Sequence, residues 1–356
     1  MNKSDLKRVL ITGNLGYVGP EVGKYLRKRH PNIQIIGYDT GFFAHSLTGV
    51  ALYPENYLNQ QIYGDIRDFS SDYLDDVDAI VHLSAISNDP MGNEFERVTN
   101  EINLEASIRL VQLAAMKGVS NFVFASSCSM YGAADSGARK ESDPTNPLTA
   151  YAKSKIGVEE AVQKLGDLHG MIFTSLRFAT ACGMSDRLRL DLVLNDFVAC
   201  ACTTGEITVL SDGLPWRPLI DVKDMARAID WAIQRRIANG GAFLAINAGG
   251  NKNNYQVKDL AETVAQVIPN TTININTQAL PDNRSYKVDF GLFESLAPQY
   301  TPIISLDESI IQLKTGLTRM NFKNNMFRES GLMRLNTLRQ HLSSGRLDAE
   351  LRWIRN

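Results

Sequence analysis

A chain of 356 residues is too long for one small core and suits one large α/β unit or two closely joined domains. Its 37 basic and 39 acidic residues leave a formal net charge of -2, which argues against a nucleic-acid partner with its basic face but leaves room for a local phosphate pocket. No run approaches the length of a membrane span, the polar start MNKSDLKRVLITG is not a secretory signal, and Cys128, Cys182, Cys200 and Cys202 have neither disulfide-framework nor zinc spacing. The expectation is a reduced, cytoplasmic, metal-free protein with no membrane partner.

In chain order, residues 8–12 predict a strand, 20–29 a helix, 33–38 a strand, 79–83 a strand and 103–117 a long helix. Strands at 122–125 and 171–178 follow, with a helix over about 149–166 between them. This βαβ rhythm is that of an α/β fold, a Rossmann-type doubly wound parallel sheet with helices on both faces. Past about 180 the rhythm loosens into a smaller mixed α/β C-terminal domain. The expected division is 1–178, with a returning segment near 220–250, then 179–320 interleaved with it, then a peripheral helical tail over 321–356. Cys200 and Cys202 fall in an apolar helical stretch and read as packing residues.

The stretch ITGNLGYVGP sets Gly13, Gly16 and Gly19 between the first strand and the first helix. Glycines there permit a tight turn and close approach of backbone N–H groups to a pyrophosphate. Alone such a set is weak, but Pro20 suits a first helical turn. Asn14, Leu15 and Tyr17 share that turn. Asp39 closes the second strand, IQIIGYD, about twenty residues on, where a carboxylate receives the adenosine ribose hydroxyls and repels a 2′-phosphate. The reading is therefore NAD, not NADP. Asp65 and Ile66 in GDIRD fall beneath the adenine, and Leu83, Ser84 and Ala85 where the next strand meets the cofactor. His82 reads as a packed edge histidine.

FVFASSCSMYG, residues 122–132, runs from a buried strand into small hydroxyls with no acid or base among them. Further on, TNPLTAYAKSK carries Tyr151 and Lys155 four apart, on one face of a helix that Asn146-Pro147 can start.

With TGNLGYVG, Asp39, GDIRD, HLSA, Asn103 in EINLEAS, SSCSMYG, YAKSK, RPLIDVKD and DNRSYKVD in place, the sequence resembles the extended short-chain dehydrogenase/reductase family, in its nucleotide-sugar epimerase/dehydratase branch, over roughly residues 6–310. The resemblance implies that Tyr151 is the base toward a sugar hydroxyl, at C4, while NAD takes the hydride from the same carbon. Ser127 would hold the reacting oxygen, Lys155 and the positive nicotinamide would together lower the tyrosine pKa, Lys155 would also hold the nicotinamide ribose, and Asn103 would belong to the cofactor shell. A free tyrosine has a pKa of about 10, so the lowering matters.

The 4,6-dehydratases of this branch have an Asp-Glu pair after the Ser/Thr. Here those positions hold Cys128 and Ser129, poor substitutes for positioned carboxyls. Nothing near Cys128 in sequence would activate its thiol. The expected activity is thus a nucleotide-sugar epimerase or a closely related oxidoreductase. A 4,6-dehydratase or ketosugar reductase stands as the alternative, and a non-enzymatic nucleotide sensor is disfavoured by the intact Ser127, Tyr151 and Lys155.

On the substrate side, the resemblance places Arg217 and Arg284 against a nucleotide diphosphate, a role suited to the guanidinium fork. Ser129 is a further substrate contact. Arg187 and Arg189 in MSDRLRLDLVLND could face the phosphates or simply form a solvated loop, with Asn195 on the helix that follows. Thr180 stands where relatives carry an asparagine that touches substrate. The resemblance also implies a homodimer, made by the helix over 103–117 and the helix carrying Tyr151.

Overall fold

The computed structural model describes residues 6–133, 137–276, 278 and 285–354. Seven parallel strands form the main sheet: β1 Arg8–Thr12, β2 Gln34–Asp39, β3 Gln60–Tyr63, β4 Ala79–His82, β5 Asn121–Ser127, β6 Ile172–Phe178 and β7 Phe243–Ala248. Their spatial order is β7-β6-β5-β4-β1-β2-β3, so the chain winds outward in both directions from the β1/β4 junction. That switch point is where open α/β sheets leave a crevice beyond the carboxyl ends of their strands.

Alternation of apolar residues decides which face each strand side chain serves. Val9 and Ile11 of β1 join Val22 and Leu26 of the first helix, α1 (Gly19–Arg29), in the core on one face. Leu10 points the other way, toward Leu110 and Val111 of α2 (Ala106–Met116) and Val158 and Val162 of α3 (Ala150–Leu165). Phe122, Phe173 and Phe243 stack across β5, β6 and β7 with centroids 5.6 Å apart at each step. Each such buried side chain contributes about 1.5–3 kcal/mol.

One helix cap and one helix start differ from the sequence expectation. The Tyr151 helix begins at Ala150, with Thr149 as its cap accepting from the Ala152 N–H at 3.2 Å; Asn146-Pro147 lies outside it. The expected helix from 103 enters through a π-helical turn, Glu101–Glu105, before settling into α2.

After β6 the chain leaves the sheet to build a second lobe. Strands Thr180–Cys182, Trp216–Asp221 and Asn254–Gln256 form one small sheet, and Glu206–Val209 pairs with Thr272–Ile275. Helices Val193–Thr203, Val257–Val267 and Leu306–Arg319 bury Leu194, Val198, Leu260, Val264, Leu313 and Leu317 together. Between these excursions the helix Val222–Ile233 and β7 return to the main sheet.

The last segment is not peripheral. Leu338, Leu347 and Leu351 are buried in the same core as Phe42, Ile66 and Phe69, so the chain end is built into the first lobe. No helix among the described residues is long and apolar enough to cross a membrane.

Candidate active site

A cavity of about 760 Å³ opens beyond the carboxyl ends of β1, β2, β4 and β5 and is closed on its far side by the second lobe. Its first wall is the turn after β1. Gly13 has φ +75°, and a Cβ there would sit 2.5 Å from the Ser84 nitrogen. A Cβ on Gly19 would sit 2.1 Å from the Asn14 carbonyl oxygen, so only glycine lets α1 start packed on the turn. Gly13, Gly16 and Tyr17 line the cavity; Asn14, Leu15 and Gly19 do not. The Asn14 amide instead points into the sheet, donating to Gln61 Oε1 at 2.6 Å. Leu15 acts through its backbone, whose N–H reaches Asp39 Oδ2 at 3.0 Å.

Asp39 is thus fixed at the rim. Gly41 N–H donates to its other oxygen at 2.7 Å, and each oxygen keeps a lone pair for a neighbouring hydroxyl. Burial pushes the Asp39 carboxyl up, while the Gly41 and Leu15 N–H groups and the charges of Arg187 and Arg334 pull it back. This carboxylate, the glycine turn and the apolar walls fit a dinucleotide whose ribose diol faces Asp39. Asp65 and Ile66 line the same end, with Asp65 gripped by Arg67 at 2.6 Å.

Leu83, Ser84 and Ala85 form the floor. Asn103 lies behind it: its side chain accepts from the Ile86 N–H at 2.8 Å and donates to the Ile86 carbonyl at 3.0 Å and to Ser154 at 3.2 Å. It shapes the floor without lining the cavity. His82 is buried beneath, 2.6 Å from Thr12 Oγ1 and 2.8 Å from Ser107 Oγ. Burial holds its pKa down to about 3, so it is a neutral packing residue.

At the centre, Ser127, Tyr151 and Lys155 meet at the wall. The Ser127 hydroxyl lies near enough to the Tyr151 phenol to favour its ionised form, and it accepts the Ser129 N–H at 3.1 Å. Lys155 Nζ stands 5.6 Å from the Tyr151 ring centroid. The electrostatics depart from the sequence expectation. Burial pushes Tyr151 up to about 12, despite the Ser127 hydroxyl. Burial likewise pulls Lys155 down to about 7, with the Glu159 charge working the other way. The lowered tyrosine pKa is therefore not a property of these protein groups alone, because desolvation outweighs them.

Cys128 is fully buried, its thiol donating to the Arg177 carbonyl at 3.0 Å and pushed well up by burial. Ser129 lines the cavity, with its hydroxyl oxygen buried and without a protein partner. Wall carboxylates are held as acceptors: Asp89 takes the Thr149 hydroxyl at 2.7 Å, and Asp191 takes Arg189 at 2.5 Å.

On the substrate side, Thr180, Arg189 and Arg217 line the cavity. Arg189 also reaches Ser87 Oγ at 3.0 Å. Arg187 and Asn195 are turned away. Arg187 is buried against Glu55 and the Ala44 carbonyl. Asn195 ties Gly183, Tyr17 and Arg189 together, accepting from Gly183 at 3.0 Å and donating to Tyr17 Oη at 3.2 Å and the Arg189 carbonyl at 2.9 Å. In sequence Arg187 reads as a candidate phosphate contact and Asn195 as a substrate-side helix residue, and both are structural here. Arg284 lies outside the described residues.

Sequence reasoning passed over three features. Tyr286, two residues beyond Arg284, lines the cavity together with Thr180. Glu159 accepts from Ser126 at 2.7 Å, Ser175 at 2.6 Å and Arg177 at 2.7 Å; its spacing of four from Lys155 on α3 was a usable signal. Arg334, from the chain end, stands in the wall with its guanidinium 4.6 Å over the Phe43 ring, and no local pattern marks it.

A nucleotide cleft at the switch point of a doubly wound sheet, with serine, tyrosine and lysine converging on its wall, defines a short-chain dehydrogenase/reductase of the extended type. Residues 9–249 match the model of the NAD dependent epimerase/dehydratase family, and the chain belongs to that family. It is an enzyme, and its cofactor is NAD. It is 27% identical over 281 residues to UDP-glucose 4-epimerase of Streptomyces lividans, covering 73% of this chain and 80% of that one. It is 25% identical over 271 residues to UDP-glucuronate 4-epimerase of Thermodesulfobacterium geofontis, with the same coverage. Among solved structures, MoeE5 in complex with UDP-glucuronic acid and NAD superposes with a TM-score of 0.74 at 22% identity, covering 88% of this chain and 99% of that one.

Proposed function

We propose that the protein is a 4-epimerase of nucleotide-diphosphate sugars, with a UDP-sugar as substrate. The observation that carries this is the Ser127–Tyr151–Lys155 set facing a cavity in which the two positions after Ser127 hold a buried thiol and a hydroxyl. Such a wall supports reversible oxidation at one carbon and offers no carboxyl pair there for elimination. The epimerase names of the relatives agree with this reading.

The turn at Gly13 and Gly16, with Asp39 and Lys155, would hold NAD, which would supply a reversible hydride acceptor for the sugar carbon. The chain's own residues handle the proton. Ser127 holds the sugar hydroxyl beside Tyr151, and the phenol takes its proton as the carbonyl forms and gives it back afterwards. Tyr151 and Lys155 act as a coupled pair. Loss of one proton from the pair yields either phenol with neutral amine or phenolate with ammonium, and the second form is the base. Ser129 and Thr180 supply hydroxyls to the sugar, and Arg217 supplies a fixed positive charge for the diphosphate, with Arg284 as its companion. Arg189 is already matched by Asp191 and serves the wall more than the phosphates.

We further infer a homodimer through the outer faces of α2 and α3, where Met116 is 76% exposed, and a reducing, cytoplasmic setting, consistent with four free cysteines. Light scattering that returns a monomer overturns the dimer.

The test is Tyr151→Phe against a panel of UDP-sugars, with C4 configuration followed by NMR. A loss of 10²–10⁴-fold is expected, with NADH binding retained and no net NADH formed by the wild type. Undiminished epimerisation, or stoichiometric NADH from the wild type, overturns the reading.

A further inference from the structure

Residues 334–353 are joined to two of the loops that make the rim of the cavity. The end of β2 and the loop after it supply Asp39, Thr40, Phe42 and Phe43 to the cavity, and the loop after β3 supplies Gly64, Asp65 and Ile66. Trp353 donates its indole N–H to the Thr40 carbonyl at 2.6 Å, and its ring lies 5.9 Å from that of Phe42. His341, buried in the helix Arg334–Ser343, stands with Nε2 3.0 Å from the Phe42 carbonyl. On the second loop, Arg352 pairs with Asp68 at 2.5 Å. Arg67, which grips Asp65, donates onward to the Glu350 carbonyl at 2.9 Å.

The tail is itself rigid at this point. Asp348 N–H donates to the Arg352 carbonyl at 3.0 Å and Ile354 N–H to the Arg346 carbonyl at 3.0 Å, closing a short hairpin, and Leu347 and Leu351 anchor it in the core. Loops are the low-stability parts of a fold, and their geometry is set by what they pack on. Here both rim loops pack on one remote segment, which lies beyond the stretch 9–249 matched by the family model.

We propose that the C-terminal segment 334–353 is a positioning element of the dinucleotide site, which holds the two rim loops in the geometry that binds the adenosine half. This rests on the reading that the ribose diol faces Asp39. Ligand affinity then carries the cost of ordering these loops whenever the tail contacts are lost, since a pre-ordered site binds more tightly than one ordered on binding. The effect belongs to the adenosine half and leaves the nucleotide-sugar side alone.

The experiment uses full-length protein stripped of cofactor, with calorimetric titration of NADH, ADP-ribose and UDP into wild type, Trp353→Phe, Arg352→Gln and the double variant. Trp353 is 38% exposed, and Trp353→Phe keeps a ring against Phe42 and removes the donor, so the fold is kept; a thermal melt of the stripped protein checks this. Roughly tenfold weaker binding of both NADH and ADP-ribose is expected in the double variant, with UDP unchanged. ADP-ribose binding equal to wild type, or an equal loss for UDP, overturns the proposal. Asp39→Ala separates the two layers. If it weakens ADP-ribose while the tail variants do not, the tail has no positioning role and the site reading stands. If Asp39→Ala has no effect either, the site reading fails and the proposal falls with it.

Discussion

Lys155 donates a hydrogen bond of 2.7 Å to the backbone carbonyl of Ala125, two residues before Ser127 on the same strand. The bond pins α3 against the end of β5 and so sets where Tyr151 stands relative to Ser127. The amine is also buried, with its pKa brought down to about 7, beside a tyrosine pushed up to about 12. Removing one proton from the pair costs far less than removing it from tyrosine alone. The pH profile of kcat/KM is therefore expected to rise through an apparent pKa near that of Lys155. In Lys155→Met the limb moves up by several pH units, toward the tyrosine value, with a large loss at pH 7. A profile unmoved by the substitution refutes the coupling.

Glu159 lies one turn beyond Lys155 and is the counter-ion of Arg177, at 2.7 Å. Its charge opposes the burial that lowers Lys155. Glu159→Gln is expected to shift the kcat/KM limb toward acid and to destabilise the protein by about 3–5 kcal/mol, because the buried Arg177 loses its partner. Denaturant unfolding reads the second effect. Adding Arg177→Met should recover part of the stability and none of the pH shift.

His82 gives a pH dependence of stability. Its folded pKa, about 3, lies below the ordinary 6.5, so an unfolded chain binds the proton first as the pH falls. The stability it contributes is complete above pH 6.5 and is lost as the pH drops toward 3, up to about 5 kcal/mol at full protonation. His82→Gln is expected to be less stable at pH 8 and to lose less between pH 6.5 and 4 than the wild type. Parallel unfolding midpoints across that range contradict the assignment.

Gly19→Ala tests the turn. The added methyl would sit 2.1 Å from the Asn14 oxygen, a backbone atom that cannot swing aside. The variant is expected to lose bound NAD on purification and at least 1–3 kcal/mol of stability. Retention of NAD at wild-type affinity shows that α1 can shift outward without disturbing the site.

Much of this was legible because it is local. The strands of the sheet announce themselves by short apolar runs, and the glycine turn, Asp39 and the Tyr151/Lys155 pair each fall within one element or one turn. Direction of side chains was less legible. Asn14, Arg187 and Asn195 sit in the right segments and face away from the cavity, because each finds a partner inside the protein: Gln61, Glu55 and Gly183. The Tyr151 pKa is expected to be lowered by Lys155 and a positive nicotinamide together; among the protein's own groups burial outweighs the lowering. The chain end was the largest omission. Its leucines and arginines look like a solvated helix until they meet residues some 300 positions earlier, as His341 meets Phe42.

The interleaving of the chain has a consequence for exchanging parts between relatives. The path leaves the main sheet after β6, returns for β7, leaves again and comes back at residues 334–353 to brace the first loops. A graft of the second lobe from another enzyme as a single cassette would sever either the last sheet strand or the C-terminal brace. Altered substrate choice in this scaffold therefore has to come from point changes at the cavity wall, or from recombination with several matched junctions at once.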